Sequence, residues 1–202
     1  VHSWNRRELY VNAEIDPSEL SSDTFQTITA ALEKAQDTDR INIFPGEYIE
    51  SLDISSLDDI ELVGQGEAKQ IILRNVGREP GIKVVAKTRF RLANVTVEAT
   101  PPDEKTKINA VDIMQGTRCL VEDCILSCDG GAGLFVHGEE DDVATRVVAR
   151  STHFSRSNWG VRVNDKAEMN IDGCTFTICR EAGIQAEDGA QVIIENNKLF
   201  EN

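Results

Sequence analysis

Apolar and polar residues alternate in five similar stretches along the second half of the chain. Alternation with a period of two predicts β-strands whose successive side chains point to opposite sides. The stretches begin at Phe90, Cys119, Val147, Met169 and Val192. Equivalent positions of successive stretches are 29, 28, 22 and 23 residues apart. Repeats with such periods are typical of a solenoid, in which each repeat stacks on its neighbours.

Each repeat predicts two further short strands. A turn and a second strand follow the first, and a third strand then opens at Gly133, Gly160 or Gly183. Three strands in about 22 residues predict one coil of a parallel β-helix, with like positions of neighbouring coils stacked about 4.8 Å apart. A leucine-rich repeat is the nearest alternative. It requires regularly spaced Leu and an Asn in every unit, and this chain has neither.

The front of the chain predicts a short amphipathic helix. Asp23 and Gln26 have the spacing of a capping box, with Asp23 as the N-cap. One face of the helix would contain Phe25, Ile28, Leu32 and Ala35. A helix at this place would cover the open end of the first coil. We therefore divide the chain into an N-terminal extension, residues 1–22, and a β-helix, residues 23–202, which we expect to be a fragment of a longer chain.

Three motifs extend the pattern to nearly the whole chain. They are Ile-Asn-Ile-Phe-Pro-Gly-Glu-Tyr at 41–48, Ile-Glu-Leu-Val-Gly-Gln-Gly at 60–66 and Ile-Glu-Asn-Asn at 194–197. Together with the helix and the repeats, they resemble the right-handed parallel β-helix, or pectin-lyase-like, superfamily. The resemblance implies an all-β fold, a right-handed parallel β-helix solenoid with a short N-terminal capping α-helix. It leaves function open, because the superfamily includes polysaccharide lyases, hydrolases and esterases as well as non-enzymatic repeats in F-box adaptors and cytokinesis scaffolds.

The charge of the chain narrows the classes of ligand. A formal net charge of −14 argues against binding to nucleic acid or to an anionic membrane through general electrostatics. No apolar run approaches the length of a membrane span. We expect no nucleic-acid partner, no membrane partner and no cofactor.

The five cysteines are predicted to be unpaired. Cys124 and Cys174 occupy equivalent positions two coils apart, which is about 9.6 Å and beyond the roughly 7 Å that a disulfide can bridge. Buried thiols that act as small apolar side chains are the better interpretation. Because free cysteines are typical of reducing compartments, we expect a cytoplasmic or nuclear location.

In catalytic members of the superfamily, the resemblance implies ligands on the face of the third strand. The candidate catalytic residues on this face are Asp112, His137, Arg162 and Glu187. The candidate binding residues are Phe135, His137, Trp159, Arg162 and Asn164. Asp112 and Glu187 are predicted to lie three coils apart, roughly 14 Å, which exceeds the 5 to 9.5 Å of a paired-carboxylate glycosidase. No metal site is predicted, and the acidic run at 139–142 is interpreted as a solvated loop.

Scattered charges beside an apolar spot favour a non-catalytic scaffold. In this interpretation the edge that carries Phe135, His137, Trp159 and Arg162 binds a protein partner. The alternative is a carbohydrate-active enzyme, a polysaccharide lyase or glycoside hydrolase, with its groove over Asp112 and the neighbouring third strands. A self-assembling trimer of the tailspike kind is a third hypothesis, which the free cysteines disfavour.

Overall fold

The chain winds into a solenoid whose coils build three parallel sheets. The computed structural model describes residues 6–85, 89–138 and 144–201. Sheet A has nine strands, sheet B seven and sheet C six. Every strand pair within these sheets is parallel, which agrees with the predicted β-helix.

The strands are numbered in chain order. Sheet A contains, in spatial order, β2 (Thr24–Phe25), β1 (Glu8–Val11), β3 (Arg40–Ile43), β6 (Ile60–Gly64), β9 (Arg89–Ala93), β12 (Arg118–Glu122), β15 (Arg146–Arg150), β18 (Glu168–Asp172) and β21 (Gln191–Glu195). Sheet B contains β4 (Gly46–Ile49), β7 (Ile71–Asn75), β10 (Thr96–Ala99), β13 (Ile125–Cys128), β16 (His153–Ser155), β19 (Thr175–Thr177) and β22 (Lys198–Phe200). Sheet C contains β5 (Leu52–Asp53), β8 (Ile82–Val84), β11 (Val111–Ile113), β14 (Ala132–His137), β17 (Trp159–Asn164) and β20 (Ala182–Ala186).

Equivalent residues of successive coils stack directly on one another. In sheet A, the five residues at which the repeats begin are direct partners in the register from β9 to β21. The predicted stacking of like positions is therefore confirmed. It arises because a shift of one residue would turn every inward apolar side chain of a strand toward water.

The core is a narrow column of mainly aliphatic side chains that also contains a stacked pair of aromatic rings. Phe154 and Phe176 are fully buried, and their rings stack with centroids 4.9 Å apart. All five cysteines are buried and none of them forms a disulfide, as predicted. Burial raises the pKa of the Cys124 and Cys128 thiols to about 12, so these thiols stay protonated and pack as apolar groups.

The turn between sheets A and B repeats a left-handed residue in each of the last five coils. These residues are Asn94, Asp123, Ser151, Gly173 and Asn196, with φ angles of 57°, 53°, 46°, 63° and 56°. Asn, Asp and Gly tolerate this conformation better than other residues. In the Ile-Glu-Asn-Asn motif at 194–197, Asn196 is the residue that adopts this conformation.

The N-terminal helix is shorter than predicted and begins later. Helix α1 spans Ile28–Leu32, and its N-cap is Thr27, whose hydroxyl accepts a hydrogen bond from the Ala30 amide at 3.2 Å. The prediction of Asp23 as the N-cap is wrong, because Thr24–Phe25 pairs with β1 as a short strand. Two 3₁₀ helices, Pro17–Glu19 and Ala68–Gln70, complete the helical segments in the described residues.

Part of the segment predicted as an N-terminal extension belongs to the solenoid. Strand β1 pairs with β3 in sheet A, and its residues Leu9 and Val11 are fully buried. Sheet A therefore starts well before residue 23. In the described part of the chain, no helix combines the length and apolar character that crossing a bilayer would require.

Candidate functional site

The outer face of sheet C carries the predicted site residues in two adjacent columns. Asp112, Phe135, Arg162 and Gln185 are successive partners in the register from β11 to β20. His137 lies in the neighbouring column, where it pairs with Asn164. Both columns run along the solenoid axis because parallel strands stack like positions.

Asp112 and His137 form the first contact within this site. Asp112 Oδ1 lies 2.9 Å from His137 Nε2, although only 8% of Asp112 is exposed. The distance is that of a hydrogen bond, but the ring N–H does not point at the oxygen, so both atoms lack a well-aligned partner. The other carboxylate oxygen, Oδ2, accepts a hydrogen bond from Asn109 Nδ2 at 3.3 Å. The carboxylate thus lies where it can orient the imidazole.

Arg162 lies between two aromatic rings. Its guanidinium carbon is 5.1 Å from the centroid of the Phe135 ring and 5.0 Å from that of Trp159. The Phe135 and His137 ring centroids are 3.6 Å apart. Cation–π contacts of this kind hold a guanidinium in a fixed orientation. Phe135 and Trp159 therefore both contact the guanidinium of Arg162, and their role in binding stays a prediction.

Glu187 fixes the other side of Arg162. Arg162 Nη2 donates to Glu187 Oε2 at 2.9 Å, and Gln185 Nε2 donates to Glu187 Oε1 at 2.9 Å. The Glu187 amide donates to the carbonyl oxygen of Val163 at 2.9 Å, which holds this residue against the coil that carries Arg162. The carboxylate thereby positions the guanidinium rather than facing open solvent.

Buried polar atoms without hydrogen-bond partners are concentrated at this place. Within the described residues, six such side-chain atoms occur, and five belong to the outer face of sheet C. These five are Asp112 Oδ1, His137 Nε2, Arg162 Nε, Asn164 Oδ1 and Gln185 Oε1. Because an unsatisfied buried polar group is unfavourable by about 1–3 kcal/mol, such a concentration is typical of a surface that binds a polar ligand.

The structure brings together most of the residues that the sequence predicted, but in two groups. Asp112 contacts His137 on β14, whereas Glu187 contacts Arg162 on β17. The two acids thus lie at opposite ends of the cluster, on β11 and just after β20, and they do not form one carboxylate pair. Asn109 is a contact that sequence reasoning missed, because it lies in the loop before β11, where no repeat position marks it.

Within the residues that the structure describes, no three His, Cys, Asp or Glu side chains are grouped to hold a metal ion. The acidic run at 139–142, interpreted from sequence as a solvated loop, lies outside the described residues.

The fold is similar to those of solved pectin methylesterases. A pectin methylesterase mutant in complex with a hexasaccharide matches 98% of this chain and 80% of its own length, with a TM-score of 0.62 and 12% identity. Pectin methylesterase PemA from Erwinia chrysanthemi matches 87% of this chain, with a TM-score of 0.54 and 14% identity. This chain spans 56% of the length of PemA. The enzyme from Aspergillus niger matches 94% of this chain and 75% of its own, with a TM-score of 0.50 and 15% identity.

These neighbours correct the functional prediction. We predicted a scaffold that binds a protein partner, and that prediction is wrong, because the neighbours are carbohydrate-active enzymes and one of them holds a hexasaccharide. The repeats could not decide this point, since scaffolds and enzymes share the same coil and differ only in the side chains on its surface.

The repeats themselves match a known family. The family model described as a right handed beta helix region matches residues 80–202, which include the coils that carry Asp112, His137, Arg162 and Glu187. The first strand within the matched residues is β8 and the last is β22, so the match includes the candidate site. This chain therefore belongs to the right-handed β-helix family.

Proposed function

We propose that this chain is a carbohydrate-active enzyme that binds a polysaccharide along the outer face of sheet C. The observation that carries the proposal is the set of unpartnered buried polar atoms on this face. A polysaccharide offers hydroxyl groups that both donate and accept hydrogen bonds at regular intervals. It would supply partners to acceptors such as Asn164 Oδ1 and Gln185 Oε1 and to the donor Arg162 Nε.

The reacting group in this proposal is His137, with Asp112 as the residue that orients it. Imidazole exchanges a proton near neutral pH. A carboxylate oxygen 2.9 Å from Nε2 limits the orientations that the ring can take. Water that loses a proton to His137 would become the nucleophile.

Arg162 supplies the second element of the proposed chemistry. Its guanidinium is held by Phe135, Trp159 and Glu187, so it is oriented before any ligand arrives. A preorganised cation of this kind stabilises negative charge that develops on an oxygen of the substrate. One imidazole and one guanidinium suit the hydrolysis of an ester, whereas a two-carboxylate glycosidase would require Asp112 and Glu187 at one site.

The proposed reaction is the hydrolysis of an ester carried by the polysaccharide. Water gives a proton to His137, and the resulting hydroxide attacks the acyl carbon. Arg162 stabilises the oxyanion, the bond from the acyl carbon to the alkoxy oxygen breaks, and the alcohol leaves with the proton from His137. The products are a free alcohol and a carboxylic acid on the polysaccharide, which then releases its proton to the solvent. The name of the structural neighbours, pectin methylesterase, supports this class of reaction.

The test is a set of three assays with the whole chain. Methyl-esterified pectin reports ester hydrolysis as released methanol, a rise in ultraviolet absorbance reports lyase action, and new reducing ends report glycosidase action. We expect methanol release by the wild type and a loss of about 10²-fold or more in the His137→Ala variant. Absence of both turnover and binding across a panel of esterified and unesterified polysaccharides would contradict the proposal.

The matched control is His153→Ala on sheet B. His153 is half-buried, as His137 is, but its Nε2 pairs with Thr177 Oγ1 at 2.8 Å on a face outside the site. Burial and, to a smaller extent, the charge of Arg156 lower the pKa of His153. We expect this variant to keep full turnover, so that a general effect of removing a surface imidazole is separated from a role at sheet C.

A further inference from the structure

The outer face of sheet A changes character along the solenoid. In its central outward column, the first coils carry Arg40, Glu61 and Arg91, which are joined by ion pairs of 2.8 and 3.2 Å. The later coils carry Leu120, Val148, Asn170 and Ile193 in the same column. The column thus turns from charged to largely apolar between β9 and β12.

An apolar outward column is unexpected on a sheet that faces water. The solvent-exposed face of a sheet, whether parallel or antiparallel, normally carries polar residues. Here Leu120 and Val148 border a shallow depression of about 340 Å³, and Val148 and Ile193 border a second of about 250 Å³. Ile193 is 59% exposed. This continuous surface, which we call the sheet A stripe, consists of the outward residues of β12, β15, β18 and β21.

Charges at the two ends of β15 and β18 form a self-complementary pattern. Strand β15 has an arginine at each end, Arg146 and Arg150, and β18 has an acid at each end, Glu168 and Asp172. The register places Arg146 beside Glu168 and Arg150 beside Asp172. Arg146 Nε already pairs with Glu168 Oε2 of its own chain at 2.7 Å, but both side chains stay partly exposed and can also face a second copy. Consider a two-fold axis that lies between β15 and β18 and is parallel to them. It would place the basic ends of β15 opposite the acidic ends of β18 in a second copy.

We propose that a second copy of this chain packs on the sheet A stripe about this two-fold axis. The symmetry sets Arg146 opposite Glu168 of the second copy and Arg150 opposite Asp172 of the second copy, and each contact occurs twice. It also sets Leu120 opposite Ile193 of the second copy, so the apolar ends of the stripe cover each other. Face-to-face sheets lie about 10 Å apart, which leaves room for one interdigitated layer of these side chains.

Other axes on the same face are less favourable. An axis parallel to the solenoid would set Arg146 opposite Arg150 of the second copy and Glu168 opposite Asp172 of the second copy. Like charges in apposition disfavour an interface. The proposed axis has one like-charge contact of its own, Glu122 opposite Glu195 of the second copy, against two contacts between unlike charges. The charge pattern therefore favours this arrangement, which leaves the outer face of sheet C open to a polysaccharide. The dimer does not depend on the proposed function.

The first experiment measures the mass of the whole chain in solution by sedimentation equilibrium. One copy has a mass of 22.3 kDa, and we expect twice that mass for the wild type at concentrations of about 10⁻⁴ M. Val148→Glu should give the monomer mass, because it places a charge in the centre of the stripe. Ile125→Glu is the control: Ile125 is also a half-buried outward residue, but it lies on sheet B, and this variant should remain a dimer.

Charge reversal then tests the axis itself. The pair used is Arg150 and Asp172, because Arg146 and Glu168 already form an ion pair within one chain at 2.7 Å. Arg150→Glu alone sets glutamate against Asp172 of the second copy, and Asp172→Arg alone sets arginine against Arg150 of the second copy. We expect each single variant to raise the dissociation constant at least tenfold, and the double variant to restore it. Circular dichroism should show the same folded state throughout. A monomeric wild type, a dimer that survives Val148→Glu, or a double variant as weak as the singles would each overturn the proposal.

Discussion

The first coils of sheet A and the outer face of sheet C use the same kinds of charged residue in opposite ways. On sheet A, Glu61 contacts Arg6, Arg40 and Arg91 at 3.0, 2.8 and 3.2 Å. Arg91 also reaches Glu122 at 2.7 Å. On sheet C, by contrast, Asp112, His137 and Arg162 each keep a buried polar atom without a hydrogen-bond partner.

This difference separates a structural network from a binding surface. A network whose donors and acceptors are satisfied stabilises the fold and offers little to a ligand. A surface with unsatisfied buried atoms is less favourable in the free protein, and it regains that free energy when a ligand supplies the partners. Charge alone therefore does not identify a site in a β-helix. A site is identified instead by whether each of its buried polar atoms has a hydrogen-bond partner.

The largest expected effect is that of Asp112→Asn on turnover. The amide keeps the size of the side chain but removes the negative charge that lies 2.9 Å from His137 Nε2. We expect ester hydrolysis to fall about 10²–10⁴-fold, while the melting temperature changes little. The assay is methanol release across pH 5 to 9. A variant with full turnover would show that Asp112 does not act through His137.

The converse change, Glu61→Gln on sheet A, should affect stability and leave turnover intact. The neutral amide leaves Arg40 and Arg91 without the carboxylate they share. Hydrogen bonds to charged groups contribute about 1.5–3 kcal/mol each to stability, so we expect the free energy of unfolding to decrease by about that amount. Urea denaturation measures it. If turnover fell and stability did not, the assignment of sheet A to structure and sheet C to binding would be reversed.

The same glutamate should give stability a pH dependence. Burial, the largest single influence, would raise the pKa of Glu61, but hydrogen bonding and charge from Arg40 together with the neighbouring arginines outweigh it and lower the pKa. A lowered folded pKa gives stability that is fully present above the unfolded value of 4.5 and is lost as pH falls through the folded pKa.

This sign makes the wild type and Glu61→Gln converge in acid. We expect their difference in free energy of unfolding to be constant between pH 6 and 7 and to shrink below about pH 4. Urea denaturation at each pH measures both proteins. A difference that grew as pH fell would contradict the lowered pKa.

The smallest effects on the free energy of unfolding should come from substitutions in the turns between sheets A and B. Ser151 and Gly173 occupy equivalent left-handed positions with φ angles of 46° and 63°. Ser151→Gly should increase the free energy of unfolding by about 0.5–1 kcal/mol, and Gly173→Ala should decrease it by about 1 kcal/mol. Space is not the reason, since a Cβ added at Gly173 meets no atom within 4 Å. Thermal denaturation measures both, and neither variant should change turnover or dimer mass.

Most of the fold follows from the sequence because a parallel β-helix is nearly one-dimensional. Each coil contacts mainly its neighbours, so the spacing between Cys119, Val147 and Met169 already gives the register. The same spacing places Asp112, Phe135 and Arg162 in one column. The prediction fails at the N-terminus because two structures compete for the same residues. Thr24–Phe25 pairs with β1 in sheet A instead of forming the first turn of the helix. The predicted cytoplasmic or nuclear location stays a prediction.

The spacing of the repeats is enough to derive the coils, their inward and outward faces, the absence of disulfides and the residues that share the outer face of sheet C. Which of the polar atoms on that face find partners becomes visible only in the folded chain. Glu187 turns to Arg162 and Gln185, and Asp112 turns to Asn109 and His137. The physical reason is that backbone periodicity fixes where a side chain starts, whereas its partner depends on rotamers and loops, such as that of Asn109, which carry no repeat.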